Sequence, residues 1–474
     1  MLRVSRFRLV LLFALAIAMF LLVCGDSQNG KNRKSAQPIT LGAGDKRGCP
    51  PTTTATVNLP GSEELGALIT DVYAKLDPKG VGSFTLTDVD RAMLAPCIKG
   101  RHAIALVVVR DNFTALSGGK ERLTLSDLQG YKPGVARSNL ADSIDWRFAT
   151  AENFLKNVNR ELFPRGTLTE SCAKMRSVEQ VQRGNCYLLS GIGSVSAQTP
   201  DVIRNCFTDN GVDTARGIRT YSVRFPRDRA VEYVVEDFTD AALLYAEVSE
   251  DSGTWVAVLT RAFGQYMKDH AHVRIGQRLF YKLDKRVLLE DATDHGGIDS
   301  EGLRMLTDPK VTELKRVLWG FPDEQVNTLF KEILDGMLPE ANEMIKTVLT
   351  AALLPQVKSI IKSMCVPRDE SVVHDLLKRS VADNKLPATV IKHGGAHEAS
   401  IIGYEPGTRT ADGKHESRYG FVTIRDQAGL YEPEEKNVTD GKWWRNPGMD
   451  GKTVVMTVEE FTAIYCGFNV VLKR

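Results

Sequence analysis

The chain carries almost no net charge. Lys and Arg number 61 against 59 Asp and Glu, and no block of like charge gathers along its 474 residues. That excludes the basic face a nucleic-acid partner needs. The sequence also lacks any Cys-x-x-Cys or Cys/His group at zinc spacing, which excludes a structural zinc cluster. Otherwise the composition is that of an ordinary soluble protein, 43% hydrophobic and 25% charged. The length predicts roughly two to four domains with ample core.

The N-terminus departs from that average. Arg3, Arg6 and Arg8 precede a charge-free apolar run from Leu9 to about Cys24, followed by polar, Gly-containing sequence. This is the layout of a secretory signal peptide over residues 1–25, with Val23 and Gly25 before a cut near Asp26. Two other readings fit: a retained membrane anchor, brief for a full span, and a lipoprotein signal at Cys24, where Val23 is bulky. The expected location is secreted or exported, with membrane association through the N-terminus if the run is kept. Setting aside Cys24 and Cys186 leaves Cys49, Cys97, Cys172, Cys206, Cys365 and Cys466. An even set suits disulfides in an oxidising compartment, with the pairing open. Residues 26–60, rich in Gly, Ser, Thr, Pro and Lys, read as a flexible linker.

Two similar units fill residues 61–135. A helix from Leu65 to Leu76 leads into D-P-K-G-V-G-S-F-T-L-T-D, with Asp77 at position one, Gly82 at six, Phe84 at eight and Asp88 at twelve. A second helix through Val107 and Phe113 leads into S-G-G-K-E-R-L-T-L-S-D-L. The spacing resembles a pair of EF-hands, but the ligands are poor. Lys79 holds position three, Val81 position five, and Asp88 is one methylene shorter than the usual Glu. The module reads as helix-loop-helix packing kept without the ion, with calcium as the weaker alternative and no metal ligand assigned.

Further on, Tyr221 to Phe238 gives two β-branched and aromatic runs around a Pro/Asp turn, a hairpin signal. Trp255, Leu259, Ala262, Phe263 and Tyr266 share one helical face. Residues 309–382 show repeated helical spacing and read as a self-packed helical insertion. From Leu386 to Arg474 the pattern turns to strands, among them T-V-V-M-T-V-E-E-F, that suit an antiparallel sheet.

The chemistry centres on Arg176 to Val195. A polar segment and a Gly-Asn turn deliver Cys186 to the start of an apolar helix. A thiol there meets unpaired backbone N–H groups and the positive end of the helix dipole, both of which favour thiolate. Gln180, six residues earlier, offers an amide to a developing oxyanion. The base must come from elsewhere in the fold. His397 precedes the strand starting at Ala399 and Asp426 closes the next one, so antiparallel neighbours would set imidazole and carboxylate side by side. His393 and Asn446 compete for those two places.

With these residues placed, the chain resembles the calpain-like cysteine proteases, a branch of the papain fold. Q-V-Q-R-G-N-C-Y-L-L-S-G-I-G-S-V matches that family's Gln-x5-Cys block, and G-T-W-V-A-V-L-T-R-A-F is similar to its Trp-bearing helix. H-G-G-I-D-S-E-G-L-R-M-L-T-D is similar to its G-G-x3-E-A-x3-L-T-G segment. G-A-H-E-A-S-I-I-G-Y matches its G-H-A-Y-S-V-x-G strand and selects His397 over His393. The resemblance spans about 140–474, and the Cys-to-His spacing exceeds the ~130–150 residues of the simplest papain-like enzymes by about the size of the 309–382 stretch. It implies an α+β fold, a helical half beside an antiparallel β half, and a cysteine endopeptidase acting on protein or peptide substrates. Cys186 would be nucleophile, His397 base, Asp426 its orienter and Gln180 an oxyanion donor, with no cofactor needed for the chemistry. Three departures stand out. Asp426-Gln427-Ala428-Gly429 replaces the family's Asn-Pro-Trp-Gly, so the shielding Trp is absent and the imidazole–carboxylate bond is expected to be wetter. Asn185 replaces the Asp before the nucleophile, and Thr260 a Glu, so calcium-linked residues do not carry over. The competing reading is a weakened protease fold serving as a partner-binding or calcium-responsive module.

Overall fold

A computed structural model describes the chain from Gly61 onward except 130–147, 165–177, 179–183, 247–252, 270–287, 294–300, 320–325, 335–341, 393–396, 411–414, 429–443, 446–451 and a few single positions. The leader and linker expected at 1–60 lie outside the described residues, as do Gln180, His393 and Asn446.

The first unit is built from α1 (Gly61–Asp71), β1 (Phe84–Thr85), α2 (Leu86–Met93), α3 (Gly100–Asp111), β2 (Arg122–Leu123) and α4 (Leu125–Gln129). Its two loops meet where β1 and β2 pair antiparallel, Phe84 opposite Leu123. Both loops end on the same device. The Thr85 hydroxyl accepts the Asp88 N–H while the Asp88 carboxylate accepts the Thr85 N–H, and Thr124 with Asp127 repeats it. These reciprocal caps start α2 and α4. Asp77 accepts the N–H groups of Val81 and Gly82 at 2.9 and 2.6 Å. The acid at position one and those closing each loop are thus all engaged within their own loops.

This unit does not stand apart. Its core, with α3 buried from Ala103 to Val109, continues into Phe148, Ala151, Ala241, Leu244 and Leu288 from later in the chain. Arg110 of α3 reaches out of the unit, its guanidinium 2.7 Å from Asp90 and 2.6 Å from Asp291, and 4.0 Å from the centroid of the Tyr245 ring.

The middle of the chain forms α5 (Cys186–Gln198), a three-stranded antiparallel sheet of β3 (Phe207–Asp213), β4 (Ile218–Val223) and β5 (Tyr233–Glu236), then α6 (Asp240–Tyr245), α7 (Trp255–Asp269) and α8 (Glu301–Met305). The expected hairpin is β4–β5, Tyr221 opposite Val235. Helix α5 is buried from Cys186 to Ser196, which its Gly and Ser content permits. A Cβ on Gly191 would lie 2.7 Å from the Gly302 carbonyl carbon of α8, so the two helices touch backbone to backbone.

The last part holds β6 (Thr312–Leu318), α9 (Glu343–Met364), α10 (Glu370–Leu377), β7 (Ala388–Lys392), β8 (Glu398–Glu405), β9 (Phe421–Arg425), β10 (Trp444–Arg445), β11 (Thr453–Thr457), α11 (Val458–Ile464) and β12 (Tyr465–Lys473). The strands form one antiparallel sheet in the order β10-β11-β9-β8-β7-β12-β6, giving the α+β architecture. Two expectations are corrected. The 309–382 stretch opens on a strand, because T-E-L-K-R-V-L alternates in burial and pairs along β12. The run T-V-V-M-T-V-E-E-F is strand only to Thr457, where a Thr457/Glu460 capping box starts α11.

Helix α5 lies across β7 and β8 and is stitched to them by small polar side chains. The Ser194 hydroxyl donates to the Ile401 carbonyl and accepts the Ala388 N–H, both at 2.8 Å. Gln198 donates to the Ile402 carbonyl, and Ser400 donates back to the Ser190 carbonyl at 2.7 Å.

Candidate active site

Cys186 is the first residue of α5, 4% exposed, with its thiol beside the helix's unshared N–H groups. His397 immediately precedes β8 and Asp426 immediately follows β9. The register Ser400 opposite Arg425 brings the two ends together. His397 Nε2 lies 2.8 Å from Asp426 Oδ1, and the imidazole also shares a hydrogen bond with the Cys186 thiol. Burial pulls the imidazole pKa down, yet the bonds to Asp426 and Cys186 outweigh it and push it up to about 9. The ring is thus cationic across the neutral range, the state that stabilises a neighbouring thiolate.

Asp426 is fully buried and also accepts the Ala428 N–H at 2.9 Å. Against the wetter imidazole–carboxylate bond expected from the missing Trp, the carboxylate end is fully buried, while the imidazole side chain keeps 20% of its surface exposed. Arg425 and Gln427, on either side of Asp426, are themselves fully buried. Gln427 donates to the Ser400 hydroxyl, which donates in turn to Ser190 of α5, so the carboxylate's turn is tied to the nucleophile's helix. Arg425 donates to the Val178 carbonyl at 2.6 Å, anchoring chain just upstream of Cys186 to β9. None of Arg425, Gln427 and Ser400 was singled out from sequence. The strand pattern that places Asp426 also places Arg425 inward, and an inward Arg is the one signal that could have found it.

The remaining described cysteines divide. Cys97 is disulfide-bonded, whereas Cys206, Cys365 and Cys466 form no disulfide, against the expectation that all would pair, and Cys365 packs against Cys466. Cys206 sits in the core and bonds to the Val202 carbonyl at 3.2 Å. Burial pushes its pKa up to about 12 and that of Cys466 up to about 11, so both are poor nucleophiles at neutral pH. Among the described residues, no three His, Cys, Asp or Glu side chains converge as a metal site.

Compared with known proteins, residues 148–279 match the family model described as calpain family cysteine protease. The match contains Cys186 and ends before His397 and Asp426, which the fold and not the match brings to the thiol. No curated protein matches the chain.

Proposed function

Residues 148–279 are a calpain-family cysteine protease domain, and on that premise we propose that the chain hydrolyses peptide bonds through Cys186, His397 and Asp426. The observation that carries this reading is His397 held between two partners, the Cys186 thiol and the buried Asp426 carboxylate.

Cys186 as thiolate attacks the scissile carbonyl, and the carbonyl π electrons move onto oxygen. Gln180 and the Cys186 N–H receive that oxyanion. The tetrahedral adduct collapses, the C–N bond breaks, and the His397 imidazolium gives its proton to the departing amine. His397, now neutral, takes a proton from water, whose oxygen attacks the thioester; the second adduct collapses, the C–S bond breaks, and the acid leaves with Cys186 returned as thiolate beside the imidazolium. Asp426 keeps the ring oriented and compensates its charge.

The chain is proposed to act after export, its leader at 1–25 either cut or kept as an anchor. Terminal sequencing of protein recovered from the producing cell separates the two. Asp88 and Asp127 serve as helix caps and Asp77 is engaged within its own loop, so the module is proposed to pack without calcium. The decisive test treats the purified protein with a soluble electrophilic thiol probe, beside Cys186→Ala and His397→Ala, with and without calcium, and follows peptide cleavage in parallel. Fast labelling by the unsubstituted protein only, with cleavage lost in both variants, is expected, and calcium should change neither. Labelling at the rate of free cysteine would leave only a protease-shaped binding module.

A further inference from the structure

A row of polar side chains crosses the sheet beneath α5. Cross-strand partners point to one face, and the register sets Arg425 (β9), Ser400 (β8), Thr389 (β7), Asn469 (β12) and Arg316 (β6) side by side. The first four are fully buried and Arg316 is half-buried. Glu398, two residues before Ser400 on the same strand, shares this face and is 2% exposed. Its Oε1 takes a hydrogen bond from Asn469 Nδ2 at 3.3 Å, and the Thr389 hydroxyl bonds to the same carboxyl. Its Oε2 is buried with no hydrogen-bond partner. Of the charged groups around it, Cys186 on α5 repels an anion and Arg316 on β6 attracts one, the repulsion being the larger. His397 is its chain neighbour. Where the family strand reads G-H-A-Y, this chain reads A-H-E-A, so the carboxyl is an addition to the pattern.

Burial, rather than the count of charges, limits what this carboxyl can be: the Asp426 carboxylate and the thiolate of the reactive state are already matched by the imidazolium and by the Arg425 and Arg316 guanidiniums of the row. A carboxylate 2% exposed, with one oxygen lacking any partner, carries a desolvation cost that its two hydrogen bonds do not offset. A neutral acid fills the same space at a smaller cost.

We propose that Glu398 is a positioning residue of the Cys186–His397 pair, held as a neutral carboxylic acid that links the thiol's surroundings to the polar row beneath α5. The proposal rests on Cys186 and His397 being the reactive pair. Burial, first, and the nearby thiol raise this carboxyl well above the usual carboxylate range, while Thr389, Arg316 and Asn469 oppose them without prevailing.

The test compares intact protein with Glu398→Gln and Glu398→Ala. It reads the rate of Cys186 alkylation by iodoacetamide from weakly acid to alkaline pH, and the infrared carboxylic-acid C=O band. Glu398→Gln, neutral and of the same shape, is expected to follow the unsubstituted protein through the neutral range. Glu398→Ala, which strips Asn469 and Thr389 of their partner, should slow alkylation about tenfold, one pKa unit in thiolate formation. The acid band should be present at neutral pH and absent from Glu398→Gln. A several-fold faster Glu398→Gln at weakly acid pH, or carboxylate bands at neutral pH, would mean an ionised Glu398 and overturn the proposal. So would a Glu398→Ala variant as reactive as the original. If Glu398→Ala fails to fold, Glu398→Gln and the infrared band still decide. None of these readouts needs a substrate, so failure of peptide cleavage, measured separately, would strike the proteolytic reading alone.

Discussion

At the residue scale, the charge state of His397 is the quantity that most directly governs activity. Its pKa is raised from 6.5 to about 9 in the folded chain. The imidazolium–carboxylate contact therefore contributes stability fully below the unfolded value, and loses it as pH rises through about 9. On the proposed mechanism the same titration should set the alkaline limit of kcat/KM. Asp426→Asn keeps an acceptor but removes the charge, so that limit should move to lower pH in a pH–rate profile. Asp426→Ala, leaving the ring without its partner, should lower kcat by on the order of 10²-fold at neutral pH, read in steady-state kinetics. Cys186, His397 and Asp426 were readable because each sits in a short run whose neighbours fix its element: a Gly-Asn turn before a helix, and the ends of two strands. Glu398, Gln427 and Ser400 were not. Their importance depends on which strand lies opposite, and that register is set by residues far away in sequence.

Elements were legible where one period ran long enough to dominate, as in α7 and the β4–β5 hairpin. They were missed where two signals met. Strand β6 has only seven residues and borders helical sequence, so its alternation was absorbed into the longer period. Helix α11 follows β11 without a break, yet Thr457-x-x-Glu460 marked its start and could have been used. The contact between α5 and α8 was beyond reach, because Gly191 and Gly302 look like ordinary small residues until the helices are packed. It carries a prediction. Gly191→Ala puts a methyl 2.7 Å from backbone that cannot swing aside. The variant should lose about 1–3 kcal/mol in chemical denaturation. Its Cys186 alkylation should also slow, since the helix that presents the thiol must shift.

For the whole molecule, sequence conveyed the α+β class and two helix-loop-helix units but not their integration. Arg110 finds Asp291, 181 residues further along the chain, a pairing no local pattern announces. Arg110→Ala would leave Asp90 and Asp291 buried without their cation, at a cost of about 3–5 kcal/mol measured by denaturant unfolding. Because Ala241, Leu244 and Leu288 complete the first unit's core, a fragment starting at residue 148 should be recovered mainly from the insoluble fraction, and one carrying residues 61–147 as well should not.

The seams between α5 and β8 have a mechanical consequence. Ser194, Gln198 and Ser400 fasten the nucleophile's helix to the backbone of the strand that begins beside the base. Attacking atom and proton carrier therefore ride on one plate. Hinging of the surrounding parts can widen or narrow the approach for a peptide, but it leaves the thiol–imidazole gap where it was.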